Sequence, residues 1–493
     1  MYYKQIVLTV AACVLTGCLT TSEPLLIDTP HDTSKWGKNI QRTMELLETS
    51  TPEKRNKVKI LFYGQSIIGG QWHVYVERAL RKRFPYADLE VENLALGGYP
   101  SQLLVKTVET DVLMSRPDLV VFHVYGDHIR YEEIIHTIRQ RTAAEIMIMT
   151  DHWMRRDWND GQLHLSSWDG FFDRYLPLVA KKYACELVDV RWPWKTVLDK
   201  NNWMPDELLS DGSHLNDKGK RLMAQLALRQ MLYRPELKNS CCKGLVKTLS
   251  IETSEIPGDI KWIGNSLEFE FDGSRVDLLS QHAGGASCTV TVDGQPVSSI
   301  PTLTYHTRTT SIARPYEWPE IQKIGFQKIT EPQTWTLTIV SVDDVDQRAI
   351  SFELEGSKTG PDGRGTNIED FVSDSGKVTI NADDWSLKRK GKAFSDGVIR
   401  PGMKIRWKTL RLGEDLYFPV GQLENDRVVS QVLVNGLRNT THTIRLVADG
   451  IPPPITGIRI YRPILVDAPF EDMGVNPESD FNLNHVYEPT PRN

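Results

Sequence analysis

The sequence predicts an α/β domain with a parallel sheet, followed by an all-β region. Three observations carry this. Short apolar runs alternate with segments of helical period between residues 58 and 232. From about residue 245 helical period largely disappears, and strict two-residue alternation replaces it. Turn dipeptides separate the alternating segments: Asp272-Gly273, Asp293-Gly294, Asp362-Gly363 and Asn435-Gly436.

The α/β elements follow in order. Residues 33–50 carry Trp36, Ile40, Met44, Leu46 and Leu47, which suits an amphipathic helix leading into the domain. Strands are expected at Val58–Tyr63, Leu89–Leu94, Leu119–Val124, Glu145–Thr150 and Glu186–Val190. Between them, Gln71–Arg83 places Trp72, Val76 and Leu80 at helical spacing. Tyr131–Arg141, Trp168–Tyr183 and Arg221–Leu232 read as further helices. Short continuous apolar strands joined by helices imply a parallel sheet covered on both faces. Sites in such sheets sit at the carboxyl ends of the strands.

The texture changes near residue 233, and Tyr233 to Gly244 reads as a linker or docking segment. Leu267-Glu268-Phe269-Glu270-Phe271 and Trp335-Thr336-Leu337-Thr338-Ile339 then alternate strictly, as half-buried strands do. An antiparallel sandwich region is expected over 245–470, as one elaborated unit or two small ones, with a tail at 471–493.

With 493 residues the chain is too long for one core and suits two or three domains. A net charge of −6 offers no electrostatic reason to expect nucleic acid. No Cys or His cluster has zinc-ligand spacing. Lys4 followed by the apolar run Ile6 to Leu15 reads as an export signal, too short to span a bilayer. Of the six cysteines, Cys241 or Cys242 could bridge to Cys185 or Cys288 in an exported chain.

Four ordered segments carry chemistry: Gly64-Gln65-Ser66-Ile67, Asn93-Leu94-Ala95-Leu96-Gly97-Gly98, Gly126-Asp127-His128 and Asp211-Gly212-Ser213-His214. Ser66 lies between a strand and a helix, where free backbone N–H groups favour a developing oxyanion. A serine hydroxyl needs a base, and His214 with Asp211 three positions earlier can supply one. Polar residues at other strand ends include His123, Asp151 and His152, beside Trp153.

This ordered set resembles the SGNH (GDSL-like) hydrolases over about residues 55–232. The resemblance implies a three-layer domain that hydrolyses esters by acyl transfer, with no metal or organic cofactor. It implies Ser66 as nucleophile, His214 as base and Asp211 as its orienting carboxylate. The implied oxyanion donors are the backbone amides of Ser66 and Gly98, with His128 standing where the family carries asparagine. Gln65, Asp127, His152 and Trp153 are the expected substrate contacts. Leu15-Thr16-Gly17-Cys18 resembles a bacterial lipobox, which implies a signal at 1–18 and a lipid on Cys18. Residues 19–54 would then be a tether and an N-terminal helix, and the protein would face the periplasm or exterior from a membrane. The β region resembles jelly-roll modules of bacterial polysaccharide esterases. Together these features favour removal of O-acetyl groups from an acetylated polysaccharide or oligosaccharide. The alternatives are a lipase or general carboxylesterase, and a glycan-binding surface protein whose site has decayed.

Overall fold

The computed structural model describes Ile27 and residues 33–159, 162–164, 167–237, 244–252, 256–311, 318–343, 349–387, 398–420 and 428–480. The export signal, Cys18, Cys241 and Cys242 lie outside the described residues. Cys185 and Cys288 are buried. Among the described residues no helix is long and apolar enough to cross a membrane.

Five parallel strands form the first sheet: β1 (Lys57–Gly64), β2 (Asp88–Asn93), β3 (Leu119–His123), β4 (Glu145–Met149) and β5 (Glu186–Val188). Their spatial order is β2-β1-β3-β4-β5. Each starts within a residue of the apolar run that predicts it, because β3 and β4 are buried along their whole length. Alternate residues feed two cores, as a strand's two-residue period requires. Ile60 and Phe62 enter one, and Leu61 and Tyr63 enter the other.

The helices cover both faces. They are α1 (Gln41–Glu48), α2 (Ser66–Gly69), α3 (His73–Arg83), α4 (Ser101–Leu104), α5 (Val108–Ser115) and α6 (His128–Arg141), then α7 (Leu176–Lys182), α8 (Arg191–Asn201) and α9 (Asp217–Gln230). Residues of α1, α3 and α9 fill the first core, and residues of α5, α6 and α7 fill the second. The chain leaves β1 toward β2 and returns on the other side to β3. The crevice above β1 and β3 is therefore the switch point of the sheet, where ligands of such folds bind.

Helix α8 is not among the expected helices. Trp192 and Trp194 sit on it, and Trp194 is fully buried. Pro193 between them hides the helix from sequence reading. It is tolerated in a first turn, where its missing N–H has no intrahelical partner to lose.

The β region holds two large antiparallel sheets, each with its own core, and a two-stranded ribbon of Phe371–Val372 and Thr379–Ile380. The larger runs through β6 (Val246–Ser250), β7 (Ser266–Ser280) and β8 (Cys288–Val292). The chain then builds the other sheet from β9 (Thr304–His306), β10 (Gln333–Val342), β11 (Ile350–Gly356), β12 (Gly360–Thr366) and β13 (Lys404–Arg411). It returns to the larger sheet with β14 (Val429–Ala448) and β15 (Ile455–Tyr461). The smaller unit is thus inserted between two halves of the larger one. A register shift between Gly273 and Arg275 interrupts the long β7–β14 ladder, as a bulge that bends a strand does.

Buried charged side chains fasten the β region to the α/β domain. Arg308, just beyond β9, pairs with Asp111 of α5, whose carboxylate also accepts from the Tyr63 hydroxyl at 2.7 Å. Arg141 at the end of α6 donates to the Gly436 carbonyl at 2.9 Å. The expected tail does not hang free over its described part. Met473 donates its amide to Glu132 of α6 at 3.1 Å, and Met473 and Val475 pack on the second core.

Candidate active site

Three strand-to-helix connections and one loop build the site. Ser66 opens α2 directly after β1. Gly64 makes the turn possible: a Cβ there would lie 1.9 Å from the His123 carbonyl oxygen. The chain can pass that close to β3 only without a side chain.

Ser66 Oγ lies 3.0 Å from His214 Nε2, and His214 Nδ1 lies 2.7 Å from Asp211 Oδ2. The other oxygen of Asp211 accepts the amides of Ser213 at 3.0 Å and His214 at 2.7 Å. These amide and imidazole hydrogen bonds hold the Asp211 carboxyl down to about 2, so it is ionised across the neutral range. An ionised carboxylate accepts from Nδ1–H, leaving Nε2 free to take the serine proton. The dyad is open to solvent, with the side chain of His214 49% and that of Asp211 56% exposed.

The second segment bends over Ser66. Gly98 adopts φ +70°, a left-handed conformation that favours glycine. Asn93 donates to the Ile68 carbonyl at 3.0 Å and accepts the Ala95 amide at 3.0 Å, tying this turn to α2. Ser101, fully buried, donates to the Asp127 carbonyl at 2.8 Å and so joins the second segment to the third.

Other expected contacts fall elsewhere. Gln65 is buried, and its side-chain oxygen caps α2 by accepting from the Ile67 amide at 2.9 Å. The same oxygen lies 2.8 Å from Ser66 Oγ, whose single proton goes either here or to His214 Nε2 at 3.0 Å. Asp127 caps α6 through the Arg130 amide at 2.8 Å, an ordinary use of aspartate before a helix. His152 and Trp153 are both buried and do not line a cleft. Arg191 stacks on the Trp153 ring at 3.6 Å and pairs with Asp169 behind it. His128 opens α6, with its ring edge-on to Tyr175 at 5.4 Å between centroids.

One contributor carries no motif. Trp318 of the β region donates its indole N–H to the Gly97 carbonyl at 2.7 Å and meets the Tyr99 ring edge-on at 5.0 Å. Its ring is only half-buried. The available sequence signal is a bare Trp-Pro pair far from the other segments.

Residues 62–222 match the model of the GDSL-like lipase/acylhydrolase family. The α/β domain is a GDSL-like hydrolase domain. It is followed by a separate β-rich region. Among solved structures, a two-domain esterase active on acetylated mannans aligns with 86% of this chain and 95% of its own, at 12% identity and TM-score 0.33. An acetyl xylan esterase, AlAXEase, aligns with 36% of this chain and 100% of its own, at 20% identity and TM-score 0.31. Axe2, an acetylxylan esterase from Geobacillus stearothermophilus, aligns with 38% of this chain and 100% of its own, at 18% identity and TM-score 0.30. No curated protein matches the chain.

Proposed function

We propose that this protein is an exported serine esterase that removes O-acetyl groups from a carbohydrate. The observation that carries the esterase chemistry is the continuous Ser66–His214–Asp211 chain at 3.0 and 2.7 Å. Ser66 Oγ attacks the ester carbonyl while His214 Nε2 takes its proton. The resulting oxyanion is held by the amides of Ser66 and Gly98, with a further N–H from His128. The intermediate collapses to an acetyl-serine, and His214 returns the proton to the departing sugar hydroxyl. Water, activated by the same imidazole, releases acetate and restores the serine. An intact triad speaks against a decayed site.

The small acyl group and polar acceptor follow from the surroundings. His214 and Asp211 are exposed, and Ser66 neighbours Gln65 and Gly97, a polar and small surrounding that suits a short acyl group. The half-buried indole of Trp318 beside the Gly97 turn suits the apolar face of a sugar ring. Cys18 carries the lipid that ties the enzyme to a bacterial membrane.

The test is hydrolysis of p-nitrophenyl acetate against longer acyl esters, with acetate release from a panel of acetylated polysaccharides. Preference for acetate and release from at least one glycan is the expected result. Faster turnover of long acyl chains would make the protein a lipase. Full activity in Ser66→Ala would remove the serine mechanism.

A further inference from the structure

A buried polar chain runs beneath the exposed triad. His123 ends β3, and Asp151 and His152 follow β4. Their exposures are 2%, 5% and 1%. His123 Nε2 lies 3.5 Å from Asp151 Oδ1, and His152 Nδ1 lies 2.9 Å from the same oxygen. The ring nitrogens sit off the line of a hydrogen bond, so these contacts are electrostatic. Oδ1 also accepts the amide of His152 at 2.9 Å. Rings close the cluster: Phe172 stacks on His123 at 6.2 Å and Trp194 leans on His152 at 5.1 Å.

Both ends of this chain reach the catalytic apparatus. The backbone carbonyl of His123 accepts the Gln65 amide at 3.3 Å, directly before the nucleophile. At the other end His152 Nε2 lies 2.8 Å from the Ser213 carbonyl, directly before the base. A carbonyl only accepts, so His152 presents Nε2–H to it. Burial alone would raise the Asp151 carboxyl, but the flanking His123 and His152 outweigh it and hold it well below the usual carboxylate range.

Such a cluster is expensive as packing, because buried charge destabilises a core unless it is paired. Its position suggests what it does. The Asp211–His214 loop is exposed, with an irregular backbone, yet it must hold an imidazole within hydrogen-bond reach of a serine on another element. A displacement of about 1 Å in such a constellation costs about 10²-fold in rate. Arg155 fixes one carbonyl of the loop from outside, its amide donating to Gly212 at 2.9 Å. We propose that His152, oriented by Asp151 and His123, is a positioning residue that fixes the Ser213 carbonyl from below and keeps His214 in reach of Ser66.

The inference rests on the Ser66–His214–Asp211 reading. The test measures kcat and KM for p-nitrophenyl acetate in the full chain and in Ser66→Ala, His152→Ala, His152→Gln and Asp151→Asn. His152→Ala should lower kcat about tenfold or more while KM stays within about twofold, because the loop positions the base and does not hold the ester. His152→Gln should recover to within about threefold of the parent, since its amide N–H can reach the same carbonyl. Parental kcat in His152→Ala, or equal loss in the Ala and Gln variants, overturns the proposal. If His152→Ala does not fold, the two near-isosteric variants decide. A slowed Asp151→Asn with a nearly normal His152→Gln supports the brace, and any other pairing of those results overturns it. Turnover surviving in Ser66→Ala would overturn the serine reading and this inference with it. An inactive Ser66→Ala beside a parent-like His152→Ala would overturn the brace alone.

Discussion

Replacing Trp318 with phenylalanine separates the two ways the β region can serve the site. The substitution keeps a ring against Tyr99 but removes the 2.7 Å indole N–H bond to the Gly97 carbonyl. One such bond contributes about 1 kcal/mol net. The turn it holds carries the Gly98 amide assigned to the oxyanion. If the whole loss reaches the transition state, kcat falls about fivefold, since ~1.4 kcal/mol is a factor of ten. Trp318→Ala also loses the edge-to-face contact with Tyr99, worth about 0.5–1.5 kcal/mol. The combined loss of about 2 kcal/mol corresponds to about 30-fold. Steady-state hydrolysis of p-nitrophenyl acetate reads this directly, because that substrate has no sugar for the indole to contact. KM for it should barely move, while KM for an acetylated glycan should rise in Trp318→Ala. If both variants keep kcat within about twofold of the parent, the turn is rigid without Trp318 and the reasoning fails.

Four further outcomes are expected. Ser66→Ala and His214→Ala should each lower kcat by at least about 10³-fold with an unchanged melting profile, because nucleophile and base act as one unit; substantial turnover in folded protein contradicts this. His128→Ala should lower kcat on the order of 10²-fold with little change in KM, and His128→Asn should retain more, since an amide restores a donor; equal, parent-like rates would make His128 a bystander. His306 is buried and held down to about 4, chiefly by desolvation. Its unfolded form takes up a proton near its ordinary pKa of about 6.5, before the folded form does, so stability is lost as pH falls from there toward 4, by about 3 kcal/mol in all. Denaturant unfolding at pH 7 and 4.5 checks this, and His306→Asn should flatten the difference. Mass spectrometry of the mature N-terminus should find a lipid on Cys18, and an unmodified residue other than Cys18 at that end refutes the anchor.

Much of the fold and site was legible in the residues. The five strands of the parallel sheet end within two residues of their expected limits; β3 and β4, buried along their whole length, carry the strongest local signal, and β2 at the sheet edge is half exposed. Ser66, Asp211 and His214, which the structure brings together, were legible as candidates because each sits in a short motif whose spacing suits that chemistry. Asp211 and His214 need only one turn of chain to meet, at 2.7 Å.

What tertiary structure decided lies at larger separations. Ser66 and His214 stand 148 positions apart, and only the packing of the loop between α8 and α9 against the switch point brings them to 3.0 Å. Trp318 meets Gly97 across 221 positions, through a docking of sheets and helices that no local pattern encodes. Gln65, Asp127, His152 and Trp153 read as substrate contacts because polar and aromatic residues near motifs look alike in sequence. The partner each side chain meets separates them: two became helix caps, one a buried brace and one a ring beneath Arg191. Local sequence sets backbone preference and which face is apolar. Which distant side chains then share one environment is settled by how the faces pack, and the chemistry of this site depends on that packing.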